Sequence, residues 1–282
     1  MNDCSKTVES RFLLAATVCA VLLIVSYFAL VGTPWGHQFD DDAFLGRKML
    51  DQRIITLHSD ILKLVRKRTL FLGAVATLAI AVMRRCTFVG VIAVAAFGCA
   101  VLGAEFLKHV LPWHALVPND AMLDRGFQTN TYPSGHTTVV TSLALSLLLV
   151  SPYRWRPWLA IVGGCISATF ATGVLFVGWH RPSDALGALA WSGLCMNVAA
   201  AFVVRLQGRH RPAYAFPKRA AFDCIAFGIL VVAAIGLFSA AAAPAYPLTG
   251  PPFFVLTVSI IAGAFILIAW YGWQLRAVDW PV

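Results

Sequence analysis

The sequence predicts an all-α polytopic membrane protein. Hydrophobic residues make up 59% of the 282 residues, whereas charged residues make up only 12%. An ordinary soluble domain carries roughly 25% charged residues, and long apolar runs recur here along the whole chain. Because a helix needs about 20 apolar residues to cross the core of a bilayer, this repeated pattern excludes an ordinary soluble core.

Eight apolar runs predict about eight transmembrane helices in a single integral membrane domain, residues 1–282. The second and fourth runs are short for a crossing and are expected to extend into their flanks. The first run is too long for the core of a signal peptide and is therefore interpreted as a helix. The runs are 12–33, 69–83, 87–107, 136–151, 158–179, 184–204, 221–242 and 253–275.

Basic residues near the ends of these runs indicate the orientation of the chain in the membrane. The short connections favour two cytoplasmic termini, although the long segment 34–68 carries seven Lys and Arg residues that argue the other way. This distribution accounts for the formal net charge of +9. It also disfavours a nucleic-acid partner, because the basic side chains are scattered over helix ends.

The segment 37–68 separates the first two runs and has apolar residues at helical spacing. This pattern predicts an amphipathic helix lying at the membrane interface. A cap over a site on the same face of the membrane is the alternative interpretation. The same segment carries the acidic run Asp40, Asp41 and Asp42.

The motif TYPSGHTT, residues 131–138, stands directly before the fourth run. Ser134 and Gly135 precede His136 where the helix is expected to begin, so free backbone N–H groups point outward there. A helix N-terminus of this kind favours an anion, most naturally a phosphate group. The motif therefore predicts an anion site beside a histidine.

A second motif, GWHRPSDALGA at 178–188, places His180 four residues before Asp184. That spacing puts two side chains on one face of a helix. A carboxylate that binds one imidazole nitrogen fixes the tautomer and leaves the other nitrogen free as a nucleophile or base. The motif therefore predicts a histidine–carboxylate pair.

The order of the runs brings these two motifs to one face of the membrane. His136 starts the fourth run and His180 ends the fifth, and the residues between them suffice for one crossing and one return. Lys108 ends the third run at the same face. Three separate helices are therefore expected to deliver these polar groups to one level.

Together, YPSGH and GWHRPSDALGA resemble the second and third signature blocks of the type-2 phosphatidic-acid phosphatase superfamily. That superfamily includes lipid phosphatases, undecaprenyl-diphosphate phosphatases and related phosphotransferases, and it shares its site with vanadium haloperoxidases. The resemblance covers about 108–190. It implies a six-helix phosphatase-type core within the eight helices, a site-bearing region at about 69–205, and extra C-terminal helices at about 221–275.

The resemblance also implies catalytic roles. His180 would attack phosphorus and form a phosphohistidine, Asp184 would orient that histidine, and His136 would protonate the leaving oxygen. The phosphoryl oxygens would be held by Lys108, Ser134 and the N–H of Gly135. No cofactor or metal is expected, because the loops lack a carboxylate cluster suited to magnesium and the seven cysteines lack zinc spacing.

Two arginines of the family pattern are missing. The first block normally carries an Arg-Pro pair after its lysine, but KHVLPWHALVP at 108–118 contains no arginine. The Ser-Arg positions of the third block are Gly173 and Val174. Loss of one such oxyanion donor typically costs roughly 10²–10³ in rate. The candidate substitutes are Arg181 first, then His114, and also Arg125.

Three functions follow from these expectations. The first is a lipid phosphatase that acts at the extracytoplasmic face on a polyprenyl diphosphate or monophosphate, or on phosphatidate. The second is a related phosphotransferase that uses an acceptor other than water. The third is a lipid-binding or transport protein that retains the shell of the site without catalysis. The intact set of two histidines and one aspartate ranks the phosphatase first, and a haloperoxidase ranks below all three.

Overall fold

The computed structural model describes residues 3–112, 130–207, 248–278 and 280. Within those ranges the regular structure is entirely helical, which confirms the prediction of an all-α polytopic membrane protein. The first helix continues into a short π-helical turn, Tyr27–Val31. Nine α-helices lie within the described residues: α1 Asp3–Ser26, α2 Pro34–Gly46, α3 Gln52–Leu62, α4 Lys67–Met83, α5 Thr87–Val110, α6 Gly135–Val150, α7 Arg156–Phe176, α8 Pro182–Gln207 and α9 Gly250–Gln274.

Five of the described helices are long and apolar enough to cross a membrane: Lys6–Val31, which includes the π-helical turn, and α5, α7, α8 and α9. The two runs that the sequence marked as short appear as α4, with 17 residues, and α6, with 16 residues. The predicted run at 221–242 lies outside the described residues.

Small residues allow the long helices to approach closely, as is usual when helices pack in a membrane. A Cβ added at Gly193 of α8 would lie 2.8 Å from Sγ of Cys19 in α1. One added at Gly164 of α7 would lie 2.7 Å from the ring of Phe265 in α9. These two contacts show that α1 and α9 both pack into the body of the bundle.

The α2–α3 segment also packs against protein rather than lying apart from the bundle. A Cβ added at Gly46, the last residue of α2, would lie 2.5 Å from Cβ of Phe253 in α9. Leu62 at the end of α3 is buried in a cluster with Val174 and Leu175 of α7. These contacts hold α2 beside the connection between α7 and α8, where the histidine–aspartate motif lies.

Two helices begin at this end of the bundle because the local sequence stops a helix from starting earlier. Ser134 adopts an extended conformation and its hydroxyl caps the N-terminus of α6, which begins at Gly135. Pro182 opens α8, and proline is favoured at the first helical position because its fixed φ suits the helix and its missing N–H costs nothing there. The N-termini of α6 and α8 therefore meet at one end of the molecule.

Candidate active site

The centre of the candidate site is a hydrogen bond between His180 and Asp184. The distance from His180 Nδ1 to Asp184 Oδ2 is 3.0 Å. The same oxygen accepts hydrogen bonds from Thr131 Oγ1, at 2.6 Å, and from the N–H of Arg181, at 3.1 Å. Asp184 is buried, whereas the His180 side chain keeps 12% of its surface exposed.

This geometry determines which nitrogen of His180 can react. An ionised carboxylate can accept hydrogen bonds but cannot donate them. The hydrogen bond to Asp184 therefore places the proton of the neutral His180 imidazole on Nδ1. The lone pair then lies on Nε2. His180 therefore presents Nε2 as a nucleophile or a base, and Asp184 stabilises the positive charge that develops on the ring.

The turn before α6 is attached directly to this pair. The N–H of Ser134 donates to the carbonyl oxygen of Asp184 at 2.9 Å. Tyr132 is buried, and a Cβ added at Gly187 of α8 would lie 2.2 Å from its ring. The Tyr132 hydroxyl donates to the carbonyl of Leu23 in α1 at 2.8 Å. Only glycine at position 187 lets this ring lie so close to α8, and α1 fixes its far end.

His136 lies in the first turn of α6, next to the connection that carries His180. The centroids of its ring and of the Trp179 ring are 5.2 Å apart. It is within electrostatic range of both His180 and Lys108. The two histidines that the sequence placed at one membrane face are thus neighbours in the structure.

Lys108 reaches the same turn from α5. A Cβ added at Gly135 would lie 3.5 Å from Nζ of Lys108 and 3.0 Å from Oε1 of Glu105. Lys108 Nζ also donates to Glu105 Oε1 at 2.7 Å. Because the amides of Gly135 and His136 belong to the first turn, they have no acceptor within the helix. The ammonium group of Lys108 therefore lies close to the N-terminus of α6.

The other predicted binding residues have different positions. Nε of Arg181 donates to Oδ1 of Asp41 at 2.7 Å, and Arg181 is buried, so its guanidinium is held by a carboxylate of α2. Ser134 uses its N–H for Asp184 and its hydroxyl for the cap of α6. His114 and Arg125 lie outside the described residues.

Two aspartates of α2 lie beside the site, and no pattern in the sequence predicted their positions. Asp40 is buried and accepts hydrogen bonds from Ser183 N, at 2.9 Å, and Ser183 Oγ, at 2.5 Å. Burial raises the pKa of Asp40 to about 7, and the charge of Asp184 acts in the same direction, whereas the bonds from Ser183 and the charge of Arg181 oppose the shift. Asp41 holds Arg181 as described above.

Arg47, directly after α2, is a further cation beside the histidine connection. It is buried, with its guanidinium carbon 4.7 Å from the centre of the Phe44 ring. A Cβ added at Gly178 would lie 2.7 Å from that carbon, and Gly178 has a φ of +79°. Glycine is therefore required at 178 both for its backbone conformation and for the space that Arg47 fills.

Comparisons with known proteins identify one family to which part of the chain is similar. Residues 84–208 match the family model of the PAP2 superfamily. A curated undecaprenyl-diphosphatase of Sulfolobus acidocaldarius is 25% identical over 170 residues, which cover 58% of this chain and 79% of that protein. No solved structure matches the chain. The segment that matches the PAP2 superfamily contains α5 to α8 and both histidine motifs.

Proposed function

We propose that this protein is a membrane lipid phosphatase that removes a phosphoryl group from a lipid phosphate or diphosphate through a phosphohistidine. The observation that carries the proposal is the His180–Asp184 pair close to His136, whose ring lies against Trp179, the residue before His180. The match of residues 84–208 to the PAP2 superfamily supports the same reaction class. The similarity to an undecaprenyl-diphosphatase makes polyprenyl diphosphates the first substrates to test.

The reaction takes place in two steps. Nε2 of His180 attacks phosphorus while the bond from phosphorus to the leaving oxygen breaks, and His136 gives its proton to that oxygen. A water molecule then attacks the phosphohistidine, and His136 takes one of its protons. The bond between phosphorus and Nε2 breaks, which releases phosphate and restores both histidines. Lys108 and the amides of Gly135 and His136 stabilise the negative charge in both transition states.

An apolar cavity of about 260 Å³ next to the site supports a lipid substrate. It lies between α4, α6 and α7, and its wall includes Val139, Val140, Leu143 and Phe170. Val139 and Val140 follow His136 by three and four residues, so they continue the same face of α6. A hydrocarbon chain in this cavity would leave its phosphate near His136.

Isotope transfer from water tests the proposal and separates it from a phosphotransferase. The purified protein is incubated in H₂¹⁸O with a polyprenyl diphosphate, a polyprenyl monophosphate or phosphatidate. We expect each phosphate released to carry ¹⁸O, and rapid alkaline quenching to trap phosphate on His180. Phosphate found only on an added alcohol acceptor would favour the transferase. Lipid binding with no loss of phosphate from any of these lipids, with or without an added alcohol acceptor, would contradict both enzymatic functions.

Arg47 supplies a positive charge that the sequence motifs lack. The guanidinium of Arg47 lies against Gly178, two residues before His180. A guanidinium can bind two phosphoryl oxygens at once. In the proposed mechanism, Arg47 therefore stabilises the transferring phosphoryl group from the side of α2.

Replacement of Arg47 by alanine is expected to lower kcat/KM by about 10²-fold, since one charged donor to the transition state is lost. Arg47→Lys is expected to recover part of this loss, because lysine keeps the charge but not the planar fork. The matched control is Lys48→Ala, which makes the same change in charge at an exposed neighbouring residue. A kcat/KM for Arg47→Ala equal to that of Lys48→Ala would remove Arg47 from the mechanism.

Glu105 is expected to weaken the binding of anions, because its carboxylate is 2.7 Å from the ammonium of Lys108. Glu105→Gln should therefore bind inorganic phosphate and vanadate about three- to tenfold more tightly, measured as inhibition constants, and the gain should shrink as salt concentration rises. Glu9→Gln, near the start of α1, is the control. Equal inhibition constants for the two variants would mean that Glu105 does not compete with phosphate for Lys108.

A further inference from the structure

Three residues, 181–183, separate the reacting histidine from the carboxylate that orients it, and α2 binds this connection. Asp40 and Asp41 are both almost fully buried, with 1% and 2% of their surfaces exposed. Carboxylates are rarely buried unless they are paired and hydrogen-bonded. The partners of these two lie in the connection itself, at Arg181 and Ser183.

The hydrogen bonds account for every backbone donor of residues 181–183 and for two of their side-chain donors. The N–H of Arg181 goes to Asp184 and its Nε goes to Asp41. Pro182 has no N–H to give. Both donors of Ser183 go to Asp40. Two of the residues between the histidine and its carboxylate are thus fixed from outside by one helix.

His37 adds to this layer from the same helix. Its Nε2 lies 3.7 Å from Oδ2 of Asp41, the carboxylate oxygen that is not bound to Arg181 Nε. Asp41 therefore has polar neighbours on both oxygens, which limits its freedom to rotate. Because α2 precedes the segment that matches the superfamily, this layer is contributed from outside the matched segment.

We propose that Asp40 and Asp41 are positioning residues, which hold Arg181 and Ser183 so that Asp184 keeps His180 aimed at phosphorus. The proposal rests on the phosphatase function proposed above. It follows from the short length of the connection: any shift of residues 181–183 moves both members of the pair. A displacement of about 1 Å of a reacting group can cost on the order of 10²-fold in rate.

The test compares Asp40→Asn and Asp41→Asn with Asp42→Asn in the full-length protein. Asp42 is the next residue of α2, it is only half-buried, and it makes none of these bonds, so the change in charge is matched. We expect kcat and the single-turnover rate of His180 phosphorylation to fall about 10- to 100-fold in the first two variants, with KM within about twofold of the wild type. A structural role alone would lower the amount of active protein without changing the rate per phosphorylated site.

Two further variants keep the proposal testable if a buried unpaired charge prevents folding. Ser183→Ala removes one bond to Asp40 and leaves every charge in place, and it is expected to lower kcat about three- to tenfold. In the double variant Asp41→Asn with Arg181→Gln, the losses in kcat should be strongly non-additive if Asp41 acts through Arg181. Wild-type kcat in Ser183→Ala, or additive losses in the double variant, would overturn the proposal.

The outcome for His180 separates this proposal from the proposed function. Loss of phosphate release in His180→Ala, together with equal kcat for the variants of Asp40, Asp41 and Asp42, would reject the positioning role and leave the phosphatase intact. Full phosphate release in His180→Ala would reject the phosphatase itself.

Discussion

Replacement of His180 by alanine is expected to reduce phosphate release from lipid phosphates by about 10⁴-fold or more. The alanine side chain cannot form the covalent bond to phosphorus, and groups that act with a nucleophile as a unit contribute little without it. The measurement is the rate of phosphate release in detergent micelles, together with a chase for phosphate bound to the protein. In His180→Ala, both the rate of phosphate release and the amount of phosphate bound to the protein should be far below the wild-type values.

The control for His180→Ala is His109→Ala, an exposed histidine in the last turn of α5. Both variants should keep the wild-type helical content and thermal unfolding temperature, because neither alters a helix contact in the core. A phosphate-release rate in His180→Ala equal to that of His109→Ala would contradict the phosphohistidine mechanism.

Replacement of Asp184 by asparagine is expected to lower kcat by about 10³–10⁴-fold with little change in KM. Oδ2 of Asp184 accepts three hydrogen bonds, from His180, Thr131 and Arg181. Asparagine has no charge to stabilise the imidazolium ring. Its amide can also donate to Nδ1, which would move the histidine proton to Nε2 and remove the lone pair that attacks phosphorus. The loss of the equivalent carboxylate in a serine protease has an effect of about this size.

The tautomer itself can be measured in Asp184→Asn. The ¹⁵N chemical shifts of the His180 ring should show the proton on Nε2 in this variant and on Nδ1 in the wild type. The control is Asp60→Asn, at an exposed site on α3, which should leave these chemical shifts unchanged. A loss of less than tenfold in kcat, with the proton still on Nδ1, would show that the charge of Asp184 is not needed.

The transmembrane helices could be predicted well because the bilayer constrains sequence strongly. A spanning helix needs a long apolar run, so the runs at 87–107 and 158–179 correspond closely to α5 and α7. The limits differ by a few residues where Lys or Arg lies within the first turn, as at Lys67 of α4 and Arg156 of α7. Polar residues at a helix end are part of the helix, but they lie outside the apolar run that predicts it.

The central part of the site could also be predicted, because its residues are tied to helix ends. His136 and His180 follow from a count of membrane crossings, and the His180–Asp184 pair follows from four-residue spacing. Lys108 follows in the same way from the end of α5. In each case a local pattern predicts the position along the membrane normal, and the roles in the proposed mechanism come from the resemblance to the superfamily.

The contribution of α2 could not be predicted, because it depends on contacts between residues far apart in the chain. Asp41 binds Arg181 across 140 residues, and Asp40 binds Ser183 across 143 residues. In the sequence, Asp40, Asp41 and Asp42 form one acidic run in a long loop, and nothing in that run indicates which of them is buried. Arg47 likewise has a partner position, Gly178, that only the folded chain reveals.

The meeting of the N-termini of α6 and α8 has a consequence for how the proposed lipid phosphate substrate would be attracted. Each helix carries a partial positive charge at its start, equivalent to about half an elementary charge. This charge comes from peptide bonds, which neither gain nor lose protons in the range where histidines titrate. Capture of an anionic headgroup should therefore vary less steeply with acidity than bond cleavage does, since cleavage alone requires the imidazoles in particular protonation states.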